Sequence, residues 1–265
     1  MALIDLLNKQ QAVTDAIADT GSAVTTARLT PVNAVAASVT ILATEVAQMA
    51  NDETITFGGE TFTKKASTTA ADGEFADVAG LRDCIDLLLD GSWTASGTTN
   101  ATATSDVKGL AYNDLDAVVT FVEATTAGGD GSTKATCTIA AAPLALLAAG
   151  DTVSFLTETF TKVASNPGAT EFTNTAGLTA LLAAIDGWTA VVSTADIVIT
   201  ADAVGADGNG NAVTFALTRS TSGGVNGTVG LKDQIVADAS YLYVCTAANS
   251  VNGANWRRIS VGSAY

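Results

Sequence analysis

Histidine does not occur once in these 265 residues. The commonest general base and the commonest metal ligand are therefore missing, which excludes Ser/His/Asp and Cys/His nucleophile systems and zinc sites built on imidazole. Charge is scarce as well. Only 15% of residues carry it, and 27 acidic against 12 basic side chains leave a net charge of −15. Phosphate neutralisation needs clustered Lys and Arg, so neither nucleic acid nor an anionic membrane is an expected partner. The cysteines Cys84, Cys137 and Cys245 are far apart, form no CxxC pair and sit in apolar stretches. They read as small buried hydrophobes, not as a disulfide framework or a nucleophile. No run approaches the ~18 uninterrupted apolar residues of a membrane-spanning helix. The opening MALIDLLNKQQAV puts Asp5, Lys9 and two glutamines where a secretory signal needs an apolar core. Synthesis in a cytoplasm with thiols reduced is the expectation. No GxGxxG or P-loop pattern supports nucleotide binding, and no cofactor is expected.

What is present is a sequence that repeats itself. TITFGGETFTKKAS at 54–67 returns as TVSFLTETFTKVAS at 152–165. Further echoes pair Val39-Thr40-Ile41 with Cys137-Thr138-Ile139, Glu74-Phe75 with Glu171-Phe172, Asp90-Gly91 with Asp186-Gly187, Trp93 with Trp188, and VTF at 119–121 with 213–215. A duplication without a catalytic constellation points to a scaffold or binding protein, not an enzyme. With 48% hydrophobic residues, the chain can fill the cores of two or three small domains.

The expected fold class is α+β, mainly β. Residues 1–35 form an N-terminal helix and linker, 36–124 and 134–217 two repeated small domains, each an antiparallel sheet plus one helix, and 229–265 a C-terminal β-hairpin module. Within the first repeat, TITF and ETFTK predict a hairpin about Gly58-Gly59, and the spacing of Leu81, Ile85, Leu88 and Leu89 predicts a helix over 78–89. The glycine-rich stretches 125–133 and 218–230 read as flexible joints. Leu3, Leu6, Gln10, Val13 and Ile17 follow heptad spacing with one polar seat, so this seam needs partners, either copies of itself or a surface.

Three clusters invite chemistry. Asp207, Asn209 and Asn211 fall at positions one, three and five of a calcium loop, but Ala212 and Thr218 stand at the sixth and twelfth positions, so a plain polar turn is the better reading. Asp72, Glu74, Asp77, Asp83, Asp86 and Asp90 form an acidic run. Its last three members fall on the solvated face of the predicted helix, which disfavours a glycosidase pair. Tyr241, Tyr243 and Trp256 with Arg257 and Arg258 concentrate aromatic and basic character in the C-terminal module. Such residues make interface hot spots or sugar-stacking platforms, or simply the core of a small hairpin.

The pattern GDTVSFLTETFTKVAS, an EF step, a Leu/Ala-rich helix ending at Trp188 and then IVITADAVGADGNGNAVTFAL resembles a small domain recurring in structural proteins of tailed bacteriophages. The ending DASYLYVCTAANSVNGANWRRISVG is similar to a short C-terminal module of phage head-fibre, capsid-decoration and tail-associated proteins. The resemblance implies a non-enzymatic virion protein, a homotrimer projecting from the particle as a head fibre or capsid decoration, with the major capsid protein as a partner. A tail fibre or adaptor whose tip binds a receptor or host-surface glycan is the alternative, and a virion-borne depolymerase a third. Leu3, Leu6, Gln10, Val13, Ile17, Tyr241, Tyr243 and Trp256 are the expected subunit-contact residues.

Overall fold

The structure is a computed structural model that describes residues 31–125, 128–129, 133–237, 241–250 and 253–260. The predicted helix, with Leu3, Leu6, Gln10, Val13 and Ile17, lies outside the described residues. Among the described residues the protein is mainly β, with several antiparallel sheets and few helices. The chain divides into two units, 34–226 and the combination of 1–33 with 227–265.

In the larger unit, the elements run β1 (Ala36–Ile41), α1 (Ala43–Gln48), β2 (Thr54–Phe57), β3 (Glu60–Lys64), β4 (Glu74–Phe75), α2 (Val78–Leu88), β5 (Trp93–Ser96), β6 (Ala101–Lys108) and β7 (Ala117–Ala124). The same order follows in β8 (Lys134–Ile139), α3 (Ala141–Leu146), β9 (Thr152–Phe155), β10 (Glu158–Lys162), β11 (Glu171–Phe172), α4 (Thr175–Ala183), β12 (Trp188–Ser193), β13 (Asp196–Val204) and β14 (Ala212–Arg219). Local chemistry accounts for each step. Alternation in Thr-Ile-Thr-Phe buries Ile55 and Phe57. Gly58 and Gly59, at φ 63° and 92°, supply the left-handed pair that a tight hairpin requires. Asp77 Oδ1 accepts from Gly80 N at 2.9 Å and Asn174 Oδ1 from Gly177 N at 2.9 Å, capping α2 and α4 alike. The short helices α1 and α3 escape sequence reading, because six residues are too few to show a helical period.

The sheets show how the halves meet. β1-β6-β5 and β8-β13-β12 are three-stranded, and the remaining strands of the unit form one eight-stranded sheet ordered β11-β10-β9-β14-β7-β2-β3-β4. Exchange of halves leaves that order unchanged. Its centre is an antiparallel ladder from Ala117↔Arg219 to Ala124↔Ala212, with Phe121 opposite Phe215. The expected beads on flexible joints are thereby corrected, since an eight-residue ladder fuses the two halves over one continuous apolar core. The VTF match is also displaced. Ile55 stands opposite Val119, but its counterpart Val153 stands opposite Phe215, two residues beyond the Val213 that the match predicts. A shift of two preserves the buried face, so the core tolerates it.

The stretch after β14 is no loose joint either. Ser38 and Ser222 exchange backbone hydrogen bonds at 2.8 and 2.9 Å, and Val35 and Val225 do so at 2.9 and 3.1 Å. Backbone donors and acceptors in a loop need partners as much as those in a strand, and here Ser38 of β1 and Val35 just before it provide them.

The smaller unit contains a three-stranded sheet of β15 (Ile235–Ala237), β16 (Tyr241–Cys245) and β17 (Trp256–Ser260) in sequence order. The predicted hairpin thus gains a strand, β15, from a segment too short to show alternation. Tyr243, Cys245 and Trp256 form its buried cluster, with Val236 and Tyr241 partly buried beside them.

Candidate functional site

The C-terminal aromatics do converge. Tyr241, Tyr243 and Cys245 alternate along β16, and the register sets Arg258 opposite Tyr243 and Trp256 opposite Cys245. All five side chains therefore share one face. Arg258 Cζ stands 4.3 Å over the Tyr241 ring, a cation–π contact, and the two tyrosine rings meet edge-on at 6.3 Å. Trp256 is 4% exposed. Its indole Nε1 donates to Thr228 O at 2.7 Å, its backbone N donates to Asn33 Oδ1 at 3.0 Å, and Asn33 Nδ2 donates to Trp256 O at 3.2 Å. Gly230 lies so near the ring that a Cβ there would stand 2.5 Å from Cζ2. The chain itself thus buries Trp256 and Tyr243, and the exposed chemistry left at this sheet is that of Arg257 and Arg258.

The loop at 201–213 resolves into a turn whose amides are occupied. Asn209 Oδ1 accepts from Gly128 N at 2.8 Å while its Nδ2 donates to Gly128 O at 2.7 Å, and Asn211 Nδ2 donates to Gly208 O at 3.1 Å. The first half holds a counterpart that spacing did not reveal: Asn113 makes the same pair of bonds with Gly224, at 2.9 and 3.0 Å. Thr125 and Thr221 extend the correspondence, donating their hydroxyls to Asn211 O and Leu115 O. Within the acidic run, Asp77 caps α2 and Asp86 Oδ1 accepts from Ala95 N at 2.5 Å. Burial, with the charge of Asp83 behind it, lifts the Cys84 thiol to about 11. Burial and then Glu123 do the same for Cys137, also to about 11. Thiols so placed stay protonated at neutral pH and are poor nucleophiles.

One charged constellation lay beyond sequence reading. Arg219, at the end of β14, donates through Nε to Glu45 of α1 and through Nη1 to both Asp151 oxygens at 3.3 Å. Its Nη2 donates to Leu146 O at 3.2 Å, where α3 ends. Glu45 is fully buried and Asp151 is 1% exposed. No known protein family, curated protein or solved structure matches this chain. The constellation must therefore be read from its chemistry. A guanidinium shared by two buried carboxylates from opposite halves is an ion-paired lock, with every oxygen saturated by Arg219 or backbone amides. On the other side of the central ladder the arrangement is acidic. Glu53 accepts from Val122 N and Ala50 N, both at 2.7 Å, and burial chiefly raises its pKa, with the charge of Glu123 contributing.

Proposed function

We propose that the chain is a non-enzymatic structural protein of a tailed-bacteriophage particle, a head fibre or capsid-decoration protein built on a tandem duplication and displayed as a homo-oligomer. The observation that carries this reading is the second occurrence of one complete order of strands and helices over the segments whose sequence resembles the phage domain. The ladder between β7 and β14 makes the pair of copies a single stiff body, as a projecting element requires. Asp77 caps α2, Asn209 fixes a turn, and the buried Glu45 pairs with Arg219, all structural roles that fit the reading.

Burial of Trp256 and Tyr243 within the C-terminal sheet supports the head over the tail, because a glycan-binding tip needs open aromatic faces. Particles produced by the host that encodes this chain should contain it, by mass spectrometry after gradient purification. Immunogold against residues 34–226 should decorate heads. Gold confined to tails would replace the reading with that of a tail fibre or adaptor, and absence from particles would end both. Light scattering should return a trimer, organised by Leu3, Leu6, Gln10, Val13 and Ile17, with the major capsid protein as its anchor. Hydrolysis of host polysaccharide by the purified chain would establish a depolymerase instead.

A further inference from the structure

The two hairpin tips of the larger unit are finished differently. In the first half Leu89, 7% exposed, closes the tip of β2–β3, and Gly58 lets it approach so closely that a Cβ there would stand 3.0 Å from Leu89 Cδ1. In the second half the path from the last buried helix residue to the tryptophan is two residues shorter, Leu182 to Trp188 against Ile85 to Trp93. Ile185, which precedes Asp186-Gly187 as Leu89 precedes Asp90-Gly91, stands in the place of Leu89 and is only partly buried against the core. The position of Gly58 is held by Leu156, at φ 56°, a left-handed conformation unfavourable to any residue with a side chain. Leu156 itself remains 46% exposed. Beneath it lies an open hollow of about 450 Å³ walled by Phe160, Leu181, Ala184 and Ile185, with the carboxylates of Glu158 and Asp186 on its rim and no basic residue in its lining.

We propose that this hollow is a docking site for a leucine-sized side chain carried on a basic segment of another protein. The wall of Phe160, Leu181 and Ile185 is apolar, and an aliphatic side chain of leucine size would cover it together with the exposed Leu156. The acidic rim selects Lys or Arg beside the anchor, in a chain whose net charge of −15 already attracts basic partners. A second copy is the poorer occupant, since a self-complementary contact through this patch would bring Glu158 and Asp186 of each molecule together. Strain retained at an exposed leucine, where the other half uses glycine, fits a residue kept for contact. The inference deepens the virion reading by giving the chemistry of a partner. It fails separately, because a peptide can bind a chain that no particle contains.

The test is a titration of the full chain with the peptide Lys-Leu-Leu-Lys, following methyl resonances of Leu156, Leu181 and Ile185. Saturable shifts are expected with this peptide, and none when Glu replaces its lysines or Ser its leucines. Ala184→Leu fills the hollow from an exposed helix position and should weaken binding at least about tenfold, with folding checked by the near-ultraviolet signal of the Phe155–Trp188 pair. Asp186→Lys should weaken it too. Absence of saturable shifts, indifference to peptide charge, or unchanged binding by Ala184→Leu would each overturn the proposal. Methyl shifts that depend on protein concentration alone would assign the hollow to a second copy and overturn it as well.

Discussion

Replacing Arg219 by Met asks what the lock between the halves contributes. The substitution keeps the chain's apolar stem and deletes its charge from a site where the Arg219 side chain is 15% exposed, Asp151 1% and Glu45 not at all. Asp151 would stay satisfied, since Thr218 N at 2.8 Å and Ala148 N at 2.6 Å still donate to it. Glu45 would keep only Leu42 N, at 2.8 Å. Removing one partner of a buried pair costs about 3–5 kcal/mol, and the amides that continue to hold Asp151 place this case near ~3. At roughly 2–4 °C per kcal/mol for a body of this size, Tm should fall by about 6–12 °C. Urea and thermal unfolding of the full chain measure it. Arg219→Met combined with Glu45→Gln should recover most of the loss, because the stranded charge is then gone. A single variant within ~1 kcal/mol of the parent, or a double variant no better than the single, would refute the assignment.

The counterpart across the ladder carries the opposite sign of effect. Burial raises the carboxyl pKa of Glu123 above the ordinary 4.5, so the folded protein holds that proton longer and loses stability as pH rises through the raised window. Glu123→Gln should therefore be the more stable form near neutral pH, and its advantage should vanish as pH falls below that window; urea midpoints with the same gap at both ends would contradict this. Cys84 and Cys137, with thiols lifted to about 11, should react with a thiol reagent only after unfolding, and stoichiometric labelling of the native chain at neutral pH would count against their burial. Gly230→Ala puts a methyl into the Trp256 ring and should accelerate amide exchange across β15–β17 while leaving β7 and β14 protected. Slow exchange in both places would show that the C-terminal sheet can yield room.

Local order was legible in the sequence wherever it rests on a short-range signal. The glycine pair at 58–59 between TITF and ETFTK marked a hairpin, its echo at 152–165 marked a second, and the Leu81, Ile85 and Leu88 spacing marked α2. The partnership of β7 with β14 was not legible, because nothing in an eight-residue apolar strand says whether its second neighbour belongs to the same half. Arg219 illustrates the same limit for charge. It is separated from Glu45 by 174 positions, and only the ladder brings them together. Asn113 and Asn209 are an intermediate case: the turns around them differ in sequence, yet each asparagine clasps a glycine from the strand exit of the other half.

The backbone bridges between Val35 and Val225 and between Ser38 and Ser222 also decide how the larger unit bears force. The segments 35–38 and 222–225, at the start and the end of the unit, lie side by side and antiparallel, so the chain enters and leaves the body at neighbouring points. Tension drawn through the chain would open these bridges one after another, like the teeth of a zip, before it reached the long central ladder of β7 and β14. The eight-stranded sheet hangs to one side of the load path, and a pull too weak to part the Val35–Val225 pair leaves it unloaded.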